Sequence, residues 1–208
     1  MQELSKKERL QLTDEELMKR FQQEEVESFN ILVERYKNQL LNFVFRFVND
    51  IVAAEDLVQE TFLRLYRKKH YYKEIAKFST WIYTIAGNLA KSELRRRKRR
   101  NIFSIHNVGD ENKDFDIPDP DADPLQNTET SMVLDEIQKA IKKLPTNFKE
   151  VVLMRDVQGL SYEEIADSLK IPLGTVKSRV NRGRIKLQEQ LGHLFNTTDG
   201  KIKYQYGK

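Results

Sequence analysis

Residues 171–184, IPLGTVKSRVNRGR, carry Lys177, Arg179, Arg182 and Arg184, with Lys186 just beyond. Cations crowded on one short helix neutralise phosphates, and such a helix laid in a groove can also reach base edges. At about 100° per residue, Val176, Val180, Gly183, Leu187 and Leu191 share one side. Ser178, Asn181 and Arg182 face away from it, and Lys177, Arg179, Arg184 and Lys186 lie on the flanks. That order puts base readers in the middle and phosphate contacts at the edges. The helix start, near Gly174 and Thr175, offers free backbone N–H groups to a further phosphate. Ile185 falls on the polar side without an evident role.

A second candidate surface lies in HYYKEIAKFSTWIYTIAGNLAKSELRRRKRR, residues 70–100. Tyr71, Tyr72, Phe78, Trp81 and Tyr83 precede a run of arginines, with Lys77 among the aromatics and Arg95 and Arg96 in the run. Aromatic faces stack on unpaired bases while cations track the backbone, so the stretch suits single-stranded or melted nucleic acid. Trp81, Ile82 and Ile85 stand at helical spacing and read as core. Tyr71 and Tyr72 precede the helix in an expected loop and read as functional.

A third feature is AEDLVQE, residues 54–60, where Asp56 and Glu60 stand one helical turn apart. Two carboxylates at that spacing could ligate a metal, but more commonly form a solvated or partner-facing surface. His70, His106 and His193 are scattered and no nucleophile–base set is visible, which argues against an enzyme.

These features need helices to hold them. Thr13 with Glu16, and Ser161 with Glu164, form capping boxes, each with a hydrophobic staple: Leu12 with Leu17 and Leu160 with Ile165. Leu17, Phe21, Phe29, Leu32, Val33 and Tyr36 recur at mostly helical spacing. Residues 40–48 are apolar enough for a buried helix. A third helix is expected over residues 53–68, with Leu57, Phe62, Leu63 and Tyr66 inward. A fourth starts near Ser79 or Thr80 and runs into the arginines. Periodicity returns at Met132, Leu134, Ile137, Ile141 and Leu144, and a helix follows over residues 147–157, stopping near Gly159. The short helix after Ser161, a turn through residues 170–172 and the basic helix make a helix-turn-helix. No alternating strand pattern of useful length occurs.

The net charge of +4 conceals a pattern. Residues 91–100 and 170–190 are basic, whereas residues 110–123, DENKDFDIPDPDAD, are acidic. Two basic blocks about an acidic one suggest a polyanion held at two places. The chain has no cysteine, which excludes disulfides and thiolate metal sites. It has no apolar run of membrane-spanning length and no signal-like start, so a soluble, cytoplasmic protein without membrane insertion is expected. The expected fold is all-α: two small helical domains joined by a flexible acidic linker, the second containing the helix-turn-helix. The boundaries are 1–100, a linker 101–130, 131–192, and a frayed tail 193–208.

Together these residues resemble the extracytoplasmic-function (ECF) sigma factors of the sigma-70 family, small two-domain specificity subunits of bacterial RNA polymerase. AEDLVQETFLRLY, FSTWIYTIAGNLA, LPTNFKEVVLMRDVQGLSYEEIA and GTVKSRVNRGR carry the resemblance, in that order. It implies that the first domain reads the −10 element and holds it open, with Tyr72 in the base-capturing loop and Asn88 beside it. The helix bearing Asp56, Gln59, Glu60 and Leu63 would dock on a coiled coil of the polymerase's largest subunit. The second domain would read the −35 element through Lys177, Ser178, Arg179 and Arg182. The implied partners are core RNA polymerase, including the flap of its second-largest subunit, promoter DNA, and an anti-sigma factor where one exists; no cofactor or metal is implied. One departure is QQEEVESF, residues 22–29, where the family often has Gly-Asp.

Two other readings compete. A free-standing helix-turn-helix regulator accounts for residues 160–191 but not for the aromatic-basic first domain. A metal-dependent nuclease lacks a ligand set, because the linker aspartates do not have calcium-loop spacing.

Overall fold

The computed structural model describes residues 5–73, 76–103, 128–198 and 201–204. After a single helical turn, α1 (Lys6–Arg9), helix α2 (Asp14–Gln22) opens on the expected capping box. Glu16 N–H donates to Thr13 Oγ1 at 3.2 Å, and Thr13 N–H donates back to the Glu16 carboxylate at 2.8 Å. The turn into α3 (Val26–Val48) is the QQEEVESF departure, and Glu24 there has φ 70°. That left-handed conformation favours glycine. Here the Glu24 carboxylate is tied to Lys69 Nζ at 2.6 Å. Lys69 is buried, and its ammonium sits 4.8 Å from the centre of the Phe21 ring.

Helix α4 (Ile51–Arg67) is capped by Asp50, whose side chain accepts from Ala53 N–H at 3.1 Å. It buries Ala54, Val58, Thr61 and Leu65. Of the residues expected inward, Leu57 and Phe62 are half-buried, but Leu63 and Tyr66 are exposed at 49% and 43%. Tyr66 nonetheless keeps its ring against Phe21 and Phe29, 5.3 Å and 5.4 Å between centres. The long helix α5 (Phe78–Phe103) begins where Phe78 N–H donates to the Glu15 carboxylate at 2.9 Å. Leu17, Met18 and Phe21 of α2, Leu32, Leu40, Phe43 and Val44 of α3, Leu65 of α4, and Phe78 and Ile82 of α5 are fully removed from solvent.

The second half starts with α6 (Thr128–Lys143), so helix extends three residues into each end of the expected linker. The acidic stretch 110–123 lies outside the described residues. Helix α7 (Thr146–Val152) continues as a π-helical turn, Leu153–Val157, and the segment ends at Gly159, φ 71°. Then come α8 (Tyr162–Leu169), a turn through Lys170 at φ 53°, and α9 (Leu173–Leu191). The Ser161 capping box forms, with Glu164 N–H donating to Ser161 Oγ at 3.1 Å.

One expectation is corrected. The tail is not frayed throughout: Phe195–Thr198 and Lys201–Tyr204 pair as an antiparallel hairpin, Phe195 opposite Tyr204, so the described residues are helical apart from this ribbon. The two domains, moreover, pack on each other. Ile141, Val151, Leu153, Met154 and Ile165 belong to the same buried cluster as the residues of α2–α5. Glu150 of α7 pairs with Lys91 of α5 at 2.6 Å, and both side chains are largely buried, at 9% and 18% exposure. Gln138 of α6 donates to Asn49 Oδ1 at 3.2 Å. The polar residues that make these contacts carry no periodic signal, so they were not legible beforehand. Among the described residues no helix is long and apolar enough to cross a membrane.

Candidate nucleic-acid interface

Helix α9 buries and exposes the sides that the wheel expects. Val176, Val180, Gly183 and Leu191 are buried, and Lys177, Ser178, Arg182 and Lys186 are exposed. Thr175 and Arg179 are half-buried at the edge. Ser178 Oγ donates to the Thr175 carbonyl at 3.0 Å, which leaves the hydroxyl oxygen able to accept from a base or a phosphate-bound water. Gly183 is where α9 crosses α7: a Cβ there would stand 2.5 Å from Val152 Cγ2 and 3.5 Å from Phe148 Cβ. The glycine therefore lets α9 sit down on its support. Arg184 has a different job from the flank phosphate contact expected of it. Its guanidinium bonds both oxygens of Asp156, through Nε at 3.0 Å and through a terminal nitrogen, and it so clamps α9 to the turn after α7. Ile185 is exposed at 45%, and nothing in the structure explains it.

The aromatic-basic surface changes more. Tyr72, expected to present its ring to a flipped base, is buried at 7% exposure. Its hydroxyl donates to the Ala76 carbonyl at 2.8 Å, and its ring lies against Trp81 and Phe78, 5.3 Å and 6.1 Å between centres. The residue thus closes the turn before α5. Tyr71 is the open aromatic, 78% exposed. Trp81 is half-buried on Tyr72, Asn88 is exposed one face along α5, and Lys77 is exposed but paired with Glu164 of α8 at 3.1 Å.

Within the arginine run the side chains divide. Glu93 is nearly buried and gathers Arg96 at 2.7 Å and Arg97 at 2.9 Å, while Arg97 also reaches Asp50 at 2.8 Å. The hydrogen bond from Arg96, outweighing burial and reinforced by Arg97, holds the Glu93 carboxyl below its ordinary pKa. Arg97 therefore fixes α5 to the start of α4. Arg95 lines a shallow groove with Ser92, Lys98 and Arg99. Lys98 and Arg99 are exposed and join Arg95 and Arg96 on the basic surface.

On α4, Asp56, Gln59 and Leu63 are exposed along one side, and Glu60 is half-buried, paired with Arg64 at 2.7 Å. Among the described residues no group of three or more His, Asp and Glu is placed to hold a metal ion. The site as a whole presents two basic faces, one on α5 and one on α9, and an acidic-apolar face on α4.

This is the layout of a two-module sigma factor. Residues 32–100 match the family model of sigma-70 region 2, and residues 134–187 match that of sigma-70 region 4. The chain is 35% identical to the RNA polymerase sigma-H factor of Pseudomonas aeruginosa over 87% of its own length and 95% of that relative. It is 37% identical to an ECF RNA polymerase sigma-E factor of Haemophilus influenzae over 88% of its length and 98% of that relative. Among solved structures, the sigma factor RpoE from Bartonella quintana, in complex with the anti-sigma factor NepR, matches with a TM-score of 0.64 at 27% identity, covering 79% of this chain and 96% of that one. The chain belongs to the ECF sigma factors of the sigma-70 family. The region 2 match takes in the aromatic-basic module, which a free-standing helix-turn-helix regulator leaves unexplained.

Proposed function

We propose that the chain is a promoter-specificity subunit, not a catalyst, that works in the cytoplasm of a bacterium by joining core RNA polymerase and directing it to a two-element promoter. Residues 1–100 serve polymerase docking and the −10 element, and residues 131–192 serve the −35 element. The observation that carries this is two separate basic, nucleic-acid-suited faces on one chain of this family, with a third face of opposite charge. Asp56, Gln59, Glu60 and Leu63 on α4 dock on the clamp coiled coil of the largest subunit. Lys77, Trp81, Asn88, Arg95 and Arg96 on and before α5 line the melted −10 strand, with Tyr71 in place of Tyr72 as the stacking aromatic. Thr175, Lys177, Ser178, Arg179, Arg182 and Lys186 on α9 serve the −35 duplex. The second module meets the flap of the second-largest subunit, and an anti-sigma factor is a further candidate partner.

The reading is tested by gel filtration of the full chain with core polymerase. Co-elution is expected for the native chain, and its loss for Asp56→Lys/Glu60→Lys, with an unchanged circular dichroism spectrum. A double variant that still co-elutes with native affinity would remove α4 as the docking helix. A melting temperature that responds to chelator would favour a metal at this carboxylate pair instead.

A further inference from the structure

The arginine run at the end of α5 is split between two sides of the helix. Arg95, Lys98 and Arg99 share the groove with Ser92 and are exposed, and among the described residues no carboxylate pairs with them. Glu93, Arg96, Arg97 and Arg100 stand at i, i+3, i+4 and i+7, which puts them on another face. Glu93 is 8% exposed. It lies 2.7 Å from Arg96, 2.9 Å from Arg97 and 3.9 Å from Arg100. Arg97 is held a second time, by Asp50 at 2.8 Å and by the Val48 carbonyl at 3.3 Å. On that side three cations meet two carboxylates, whereas the groove side keeps its three charges open.

The held cations are not alike. The Arg97 side chain is 31% exposed and ties α5 to the start of α4. Those of Arg96 and Arg100 are 60% and 63% exposed, and among the described residues Glu93 is the carboxylate that pairs with each. Either guanidinium can turn to a phosphate by leaving Glu93. Burial sets the cost of that move, because a carboxylate largely shut off from water cannot replace lost partners with solvent. Phosphates attract cations whatever the sequence. An open arginine therefore strengthens wrong sites as much as right ones. An arginine that must first leave a buried carboxylate binds a phosphate where other contacts already hold the strand beside it.

We propose that Glu93 is a specificity-determining residue of the −10 face: it withholds Arg96 and Arg100 from phosphates of arbitrary sequence, and yields them where contacts from α5 have already placed the strand. Arg95, Lys98 and Arg99 supply the sequence-independent hold, and Arg97 stays on Asp50. The gain in promoter selectivity rests on the sigma-factor reading; the withholding of the two cations does not.

Binding of the full chain to a random-sequence duplex, followed by fluorescence anisotropy across salt concentrations, tests the withholding. Each phosphate contact adds about 0.9 to the slope of log K against log salt. Glu93→Gln keeps the shape of the side chain and removes its charge. It should steepen the slope by about one to two, and tighten binding by at least about threefold at low salt. Glu27→Gln, at an exposed acid on α3 with the same change in net charge, should do neither. Glu93→Gln/Arg96→Gln/Arg100→Gln should return the slope to native. A native slope for Glu93→Gln, an equal gain from Glu27→Gln, or a triple variant as steep as Glu93→Gln would each overturn the proposal. Should Glu93→Gln fail to fold, variants that keep Glu93 decide. Arg95→Gln/Arg99→Gln should flatten the slope by about two, and Arg96→Gln/Arg100→Gln by less than about one. Equal flattening would overturn the withholding. For selectivity, polymerase carrying Glu93→Gln should prefer a two-element promoter over random duplex by a ratio at least about threefold below native. An unchanged ratio would overturn the specificity role. Native polymerase complex without promoter preference would overturn the sigma reading itself and leave the salt slopes to judge the withholding.

Discussion

The hydroxyl of Tyr72 donates to the Ala76 carbonyl at 2.8 Å, across the turn that launches α5. That bond, with the ring buried on Trp81, divides the two adjacent tyrosines into a structural one and an exposed one. Tyr72→Ala should lower the melting temperature, by about 3 kcal/mol of stability, and Tyr72→Phe should cost only about 1 kcal/mol for the lost bond. Tyr71→Ala should leave stability unchanged and remove about 1–3 kcal/mol of stacking on an unpaired base. Permanganate reactivity of melted thymines in the polymerase complex, read beside thermal melts, checks this. Normal opening by Tyr71→Ala would return the stacking role to another group on α5.

Arg182 stands exposed mid-face on α9, and Lys186 is exposed toward its edge. Arg182→Ala should cost about 1–3 kcal/mol at the preferred −35 sequence and relax specificity there. Lys186→Ala should weaken all duplexes alike and reduce the salt slope by about one. Binding titrations of specific and scrambled duplexes across several salt concentrations separate the two. Equal, sequence-independent losses would assign both residues to phosphates.

Gly183 is the close approach of α9 to α7. Gly183→Ala must move Val152 or the helix, because the new methyl would begin 2.5 Å from Val152 Cγ2. A helix interior would ordinarily gain from the change, so a loss is informative. Overpacking should destabilise by about 1–3 kcal/mol, seen as an earlier denaturant midpoint. Gly183→Ala paired with Val152→Ala should recover part of it.

Lys149 is buried in the second module, with Nζ donating to the Lys142 carbonyl at 3.3 Å. Burial, with the Lys142 charge adding to it, pushes its pKa down to about 8. A lysine depressed in the folded state binds fewer protons there than when unfolded, so its burden is full below pH about 8 and lifts as pH rises toward its ordinary value. Lys149→Met should stabilise the chain at pH 7, by roughly 2 kcal/mol. The advantage should shrink by pH 9.5, before the buried tyrosines Tyr36 and Tyr83, both held above their ordinary range, titrate in the unfolded chain. Chemical denaturation of both proteins at the two pH values measures it. A constant difference would mean that Lys149 is already charged and satisfied.

The helices and the exposed basic side of α9 were legible because their causes are local. Thr13–Glu16 and Ser161–Glu164 each span three residues, and the α9 wheel needs only a period of 3.6 and the positions of Val176, Val180 and Gly183. The order of the four family-like blocks likewise lies in the linear chain. What the tertiary structure decided is which of several chemically able side chains is left open. Tyr71 and Tyr72 are identical in type, and contacts such as the carbonyl of Ala76 and the rings of Trp81 and Phe78 make one of them core. Arg184 looks like its neighbours on the wheel until Asp156, 28 residues away, claims it. Leu63 is apolar yet half open, and Tyr66, 43% exposed, still lays its ring against Phe21 and Phe29 of the neighbouring helices. The seam through Lys91 and Glu150 joins residues 59 apart whose surroundings in sequence carry no sign of each other. Local free energies select the elements, whereas competition for partners across the fold selects which charges and aromatics remain for DNA.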